Sequence, residues 1–244
     1  MELDISIHKH HLIKLLTHIY KNSYLNNSLG FKGGTAGMLF YGLNRFSVDL
    51  DFDLTQKISE DSPEIKKLME EITAILEKEN YTIKDKSEKF NTLFWAASYG
   101  AGTKQIKIEI STRKEPNNTY DIKNLYGIGI KTSTLPDLIA HKLVALVNRN
   151  KFVNRDLFDA HFYLSKYPEN INYEVIKSIL NKNPEEFFNY LLEFLNDIDT
   201  NSFLDGLGQL VSKDQKDWVR NSLYKETIGL VQKQIDLKLW KIKK

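Results

Sequence analysis

The sequence predicts a small mixed α/β unit followed by an almost wholly helical half. Two observations carry the first part. The stretches SVDLDFDL (residues 47–54) and KQIKIEIS (residues 104–111) alternate apolar and polar residues with a period of two, the pattern of half-buried strands. Segments with apolar residues three and four apart are interleaved with them, the pattern of amphipathic helices. A third observation sets the boundary: from Leu135 onward every periodic segment is helical. The expected organisation is therefore an α/β domain over 1–133 and a helical domain over 134–244.

In chain order, Leu12, Leu15, Leu16 and Ile19 predict a helix over 7–22. The run NNSLGFKGGT reads as a turn from its Asn and Gly content. TAGMLFYG (35–42) reads as a short buried helix opened by that turn. Ser62-Pro63-Glu64 supplies an N-cap and first turn for a helix over 62–79, with Ile65, Leu68, Ile72, Ile75 and Leu76 as its stripe. YTIKD, TLFWAASY and KQIKIEIS are strand candidates, and YGIGIKTSTLP is a further segment open to a strand reading within the same unit. LPDLIAHKLVALVNR, RDLFDAHFYLSKY, YEVIKSIL, PEEFFNYLLEFLNDI and DWVRNSLYKETIGLVQKQI predict the helices of the second half. The basic tail LKLWKIKK is expected to fray.

Composition narrows the function classes. The chain has 244 residues, 41% hydrophobic and 27% charged, with a formal net charge of +2, which does not argue for a wholly basic nucleic-acid binder. Cysteine is absent, so disulfides and thiolate metal sites are excluded. The start MELDISIHKHH lacks the pattern of a secretory signal, and no apolar run approaches the roughly 18 residues that would span a bilayer. A cytoplasmic protein with no membrane partner is the expectation.

The candidate chemistry centres on Asp49 and Asp51. Two residues apart on a strand, their carboxylates share a face about 7 Å apart along the backbone. Like charges that close are stabilised by a hard divalent cation between them. Glu109 on the second alternating strand completes a set of three carboxylates if the strands are neighbours, and two-metal phosphoryl transfer uses such a set. A half-exposed strand with polar residues outward explains the alternation equally well. Asp53, at the strand end, reads as solvated, or as a support behind the ligands, rather than as a ligand itself. The turn Lys32-Gly33-Gly34-Thr35 precedes a helix, where backbone N–H groups can cradle phosphate, and Thr35 adds a hydroxyl. Lys142 is a candidate point charge for a triphosphate, with Arg149 on the same helical face. Arg155, Asp156 and Asp159 read as a salt-bridge network, the aspartates pinning Arg149 or Arg155. The histidines form no ligand set. His8, His10, His11 and His18 are expected on a surface helix.

Taken together these motifs resemble the AbiEii/AbiGii-type nucleotidyltransferases, toxins of type IV toxin–antitoxin and abortive-infection systems. The resemblance rests on Lys32 to Ala36 (KGGTA), Gly42, Arg45 to Ser47 (RFS), Asp49 to Phe52 (DLDF), the KIEIS strand with Glu109, and the run from Lys142 through Arg149 to Arg155-Asp156 and Asp159. It covers roughly residues 30 to 165. It implies an α+β polymerase-β-like nucleotidyltransferase fold, a small mixed sheet with flanking helices followed by a helical C-terminal region. It also implies transfer of a nucleotide from an NTP to an acceptor, dependent on Mg²⁺ or Mn²⁺. Asp49, Asp51 and Glu109 would be both metal ligands and catalytic groups, with Lys142 also catalytic. Lys32, Gly33, Gly34, Thr35, Arg45, Ser47 and Arg149 would bind the nucleotide. Asp53, Arg155, Asp156 and Asp159 would be structural. tRNA or protein as acceptor and a cognate antitoxin as partner follow from the family. The competing readings are a catalytically silent nucleic-acid- or partner-binding module that keeps the fold, and a metal-dependent phosphohydrolase.

Overall fold

The structure, a computed structural model, describes residues 3–55, 62–100, 102, 104–113, 117–149, 151–198 and 203–241. The chain divides into two compact units. One comprises residues 1–42, 46–116 and 120–133; the other comprises 43–45, 117–119 and 134–244.

The first unit opens with helix α1 (Ile5–Lys21), capped by the Asp4 side chain, which accepts from the Ile7 amide. Its buried stripe is Leu12, Leu15, Leu16 and Ile19. A short α2 (Ser23–Ser28) leads into β1 (Leu29–Lys32), α3 (Gly33–Phe40), β2 (Leu50–Leu54) and α4 (Pro63–Lys78). The strands β3 (Thr82–Lys89), β4 (Thr92–Ser98), β5 (Gln105–Ser111), β6 (Tyr120–Leu125) and β7 (Ile128–Ser133) complete it. The result is a seven-stranded sheet in the order β3-β4-β5-β2-β1-β7-β6. β2 runs parallel to β5 and β1 parallel to β7; the other pairs are antiparallel.

Alternation sorts the central strands as a half-buried sheet requires. Leu50, Phe52, Ile106, Ile108 and Ile110 are fully buried, while Asp51, Lys107 and Glu109 point to the opposite, polar face. Helices cover the apolar face. Thr73 of α4 accepts from the Trp95 indole of β4 at 3.3 Å. Tyr20 of α1 donates to the Lys131 carbonyl at 2.6 Å and accepts from the Phe31 amide at 3.1 Å, joining α1 to β7 and β1.

Three elements differ from the sequence reading. The run expected to be a turn before Lys32 contains β1, whose Leu29 and Phe31 are fully buried. Four residues with a glycine carry little periodicity, but pairing on both sides makes the strand an interior one, beside the central β2. The aspartate strand begins at Leu50, not Ser47, because residues 47–49 leave the ladder. β6 was not expected: its Ile122 is 65% exposed, so no apolar face announces it. Tyr126 and Gly127, at φ 51° and 84°, form its turn into β7.

The second unit is helical, as expected: α5 (Leu135–Asn148), α6 (Asn154–Lys166), α7 (Tyr173–Leu180), α8 (Pro184–Asn196), α9 (Lys213–Asn221), α10 (Leu223–Leu237) and a final 3₁₀ turn over Leu239–Lys241. Capping boxes at Asn183/Glu186 and Ser212/Gln215 start α8 and α9. Leu143, Leu157, Tyr163, Phe187, Phe188, Val219 and Val231 fill its core. The tail is held rather than frayed up to Lys241, since Trp240 stacks on Phe188 at 5.7 Å; residues 242–244 of that expectation lie outside the described residues. No helix among the described residues is long and apolar enough to cross a membrane.

Candidate active site

The polar face of the sheet builds the site. The register places Lys32 of β1 opposite Asp51 of β2, Asp51 beside Glu109 of β5, and Glu109 opposite Phe94 of β4. Lys32, Asp51 and Glu109 thus share one row across neighbouring strands, which lie about 4.8 Å apart. Asp49 sits one residue before β2. The Lys107 backbone amide lies 3.4 Å from its Oδ1.

The electrostatics of this row are those of crowded acids. Burial and the carboxylates of Asp51 and Glu109 push the Asp49 carboxyl up to about 6, against the opposing pull of Lys107. Among the described residues, no three acidic or imidazole groups already converge as a metal cage. The donor set nevertheless fits a divalent cation: it is all hard carboxylate oxygen, and Asp49, raised first by burial, is raised further by Asp51 and Glu109.

Two backbone features bring the Gly-Gly turn to these acids. Gly33 opens α3 at φ +77°, where a Cβ would meet Asp51 Oδ2 at 2.1 Å. Only glycine allows this approach of the helix N-terminus to the carboxylate. Thr35 is fully buried and its hydroxyl donates to the Asp49 carbonyl. The hydroxyl expected at phosphate is therefore used to tie residue 49 to α3, because the loop before β2 has left the sheet ladder.

Asp53 is 2% exposed and accepts from Lys32 Nζ and from the Tyr120 hydroxyl, the latter at 2.9 Å. The solvated reading of Asp53 is corrected, since Lys32 of β1 and Tyr120 of β6 cover it. Lys32 is accordingly engaged by Asp53 and reaches solvent with only 28% of its side chain. Ser47 is buried.

One contributor escaped the sequence reading. His8, expected on a surface, is fully buried on α1. Its Nε2 lies 2.9 Å from the Val48 carbonyl and its Nδ1 3.0 Å from the Tyr99 hydroxyl. A carbonyl can only accept, so Nε2 carries the proton and Nδ1 accepts from Tyr99. The imidazole holds the residue before Asp49. Its place one turn before the apolar stripe of α1 was the available signal.

In the second unit, Asp159 is fully buried. It accepts from Arg45 through Nε at 2.6 Å and Nη2 at 2.7 Å, a bidentate pair, and from Lys142 at 2.7 Å. Burial raises its carboxyl, but these two cations outweigh it and the net shift is downward. Arg45, expected at the nucleotide, is thus itself buried at 5% exposure and committed to Asp159. Asp159 was expected to pin Arg149 or Arg155. A partner 114 positions earlier takes that place, which helical spacing cannot anticipate. Asp156 does contact Arg149, at 2.6 Å, as expected of it, though without well-directed hydrogen-bond geometry. Arg155 is half-buried in the first turn of α6.

The profile of the nucleotidyl transferase AbiEii toxin family, of type IV toxin–antitoxin systems, matches residues 14–224. The chain belongs to the AbiEii family. This AbiEii match extends well beyond the stretch that carries the motifs and takes in most of the helical unit. A candidate nucleotidyltransferase from H. pylori has a similar fold, with a TM-score of 0.60 and 23% identity over 100% of both chains. JHP933 from Helicobacter pylori aligns over 98% of both chains with a TM-score of 0.49 and 20% identity. No curated protein matches the sequence. The AbiEii family and the fold make the chain a nucleotidyltransferase of the type IV toxin class.

Proposed function

We propose that the chain transfers a nucleotidyl group from an NTP to an acceptor hydroxyl, with Asp49, Asp51 and Glu109 as the divalent-cation set. The observation that supports this best is the Asp51–Glu109 register pair beside the Gly33 turn, with Asp49 raised to about 6 by burial first and by the Asp51 and Glu109 carboxylates second. Mg²⁺ or Mn²⁺ bound there would lower the charge on the triphosphate and acidify the acceptor hydroxyl.

The residues divide the remaining work. Backbone N–H groups at the start of α3 favour the β- and γ-phosphates. Glu109 takes the acceptor proton as its oxygen bonds to the α-phosphorus. The bond from that phosphorus to the β-bridging oxygen breaks, and pyrophosphate leaves with the electron pair. Asp53 holds Lys32 in the row, and Thr35 and His8 hold the backbone on either side of Asp49. Lys142, its ammonium fixed by Asp159, is proposed as a point charge for phosphate.

Incubation of the purified protein with each labelled NTP, Mg²⁺ and total tRNA tests the proposal. Transfer of label by the unaltered chain and none by Asp51→Ala is the expected result. No transfer, or equal transfer by the variant, overturns it. Growth arrest on induced expression, relieved by Asp49→Ala, is expected of a toxin, and co-expression of a neighbouring antitoxin gene should relieve it as well.

A further inference from the structure

The second unit contains a cavity of about 630 Å³ between α6 and α9, roomy enough for a nucleotide. Its walls are rings: Phe158, His161 and Phe162 from α6, and Trp218 from α9. His161 meets Trp218 at 4.8 Å between centroids and Phe158 meets it at 5.9 Å, both edge-to-face. One carboxylate locks two of these walls. Glu226 of α10 accepts from the Trp218 indole and lies against His161 Nε2, each at 3.0 Å. The polar edges of the indole and imidazole are thereby occupied outside the cavity, and stacking surface is what remains to a ligand.

The lining also carries polar groups. Lys166 stands 5.3 Å from the centre of the Phe162 ring, and Ser165 and Asp214 line the same cavity. A purely hydrocarbon ligand would leave these groups unmatched, and the side chain of an aromatic residue would engage the rings alone. A heteroaromatic base uses both. Its faces stack on the rings, an exocyclic amine donates to the Asp214 carboxylate, and a carbonyl or phosphate oxygen accepts from Lys166. The position of the cavity in the unit adds weight. Phe158 precedes Asp159 on α6, and Asn44, also on the wall, precedes Arg45, so two of the segments that wall the cavity also carry the Arg45–Asp159 pair.

From this we infer that the α6–α9 cavity is a nucleobase subsite, filled either by a base of a single-stranded polynucleotide or by a free nucleotide. The inference rests on the proposed nucleotidyl transfer only in linking that base to the acceptor.

The test is direct binding to the full chain without divalent cation. The probes are a fluorescent RNA tetranucleotide, the same tetranucleotide made abasic, and each nucleoside monophosphate. Base-containing RNA is expected to bind at least tenfold more tightly than the abasic strand. Phe162→Ala and Trp218→Leu are expected to weaken it by about five- to a hundredfold, and Trp218→Phe to restore most of the loss. Competition by a monophosphate would identify a free nucleotide as the occupant; binding of the oligonucleotide alone would identify a polynucleotide. If Trp218→Leu does not fold, Phe162→Ala and ligand quenching of Trp218 fluorescence in the unaltered chain read the same contact. Equal binding of abasic RNA, equal binding by the variants, or binding of none of the probes overturns the inference. Base-dependent binding without nucleotidyl transfer would leave this subsite standing and remove the proposed reaction. Transfer without base-dependent binding would do the reverse.

Discussion

Gly33 and Asp51 approach so closely that a single methyl group at residue 33 would sit 2.1 Å from the Asp51 carboxylate oxygen. The backbone there is also left-handed, at φ +77°. Gly33→Ala therefore meets both steric and conformational strain, costing on the order of 1–3 kcal/mol. The carboxylate must turn away to relieve it. A loss of nucleotidyl transfer well beyond the small drop in melting temperature is the expected pair of measurements. Full activity in a folded Gly33→Ala protein would show that the approach has no part in catalysis.

The burial of Asp49, with the acids crowded beside it, makes stability fall as pH rises. Its folded-state carboxyl titrates near 6 against an ordinary 3.8, so between those values the folded chain holds a proton that the unfolded chain has lost. That contribution is full below about pH 4 and is gone, as a net penalty, above about pH 6. Asp49→Asn should stabilise the protein at pH 7 by on the order of 1–3 kcal/mol and flatten this part of the pH profile in thermal melts. Mg²⁺ should raise the melting temperature of the unaltered protein more than that of the variant.

Asp159 has the opposite sign. Its carboxyl is buried, yet Arg45 and Lys142 hold it below its ordinary range, so its contribution is complete at neutral pH and disappears as pH falls below that of the unfolded carboxylate. Asp159→Ala leaves the buried Arg45 guanidinium without its bidentate partner, at a cost of about 3–5 kcal/mol. Urea unfolding at pH 7 measures this loss, and the gap between variant and unaltered chain should narrow toward pH 3.

His8 anchors the carbonyl before Asp49. His8→Ala removes the donor and should cost about 1–3 kcal/mol. Turnover should fall more than the KM for NTP rises, because the ligand-bearing backbone loosens while the phosphate cradle remains. His8→Gln offers an N–H for the same carbonyl and should recover part of the turnover. If neither variant changes turnover of the folded protein, the contact is structural only.

Much of the site could be read in the residues themselves. The period of two in SVDLDFDL and KIEIS put Asp51 and Glu109 on polar faces, and this needs only strand geometry; Asp49, just before β2, was placed by the loop. The Gly-Gly turn before a helix and the five helical segments after Leu135 are local patterns of the same kind. Sequence alone thus determined the α/β-then-helical order, the acidic residues and the family. Tertiary structure decided the pairings. That β2 lies beside β5, with Asp51 level with Glu109, depends on strands more than fifty residues apart. So does the interior place of β1, whose four residues have no periodicity to read. Burial redirected side chains whose types suggested other uses: Thr35 to the Asp49 carbonyl, Arg45 to Asp159, His8 to Val48. A buried polar group must find a partner wherever the fold provides one, and that partner's distance along the chain is set by topology, to which local spacing is blind.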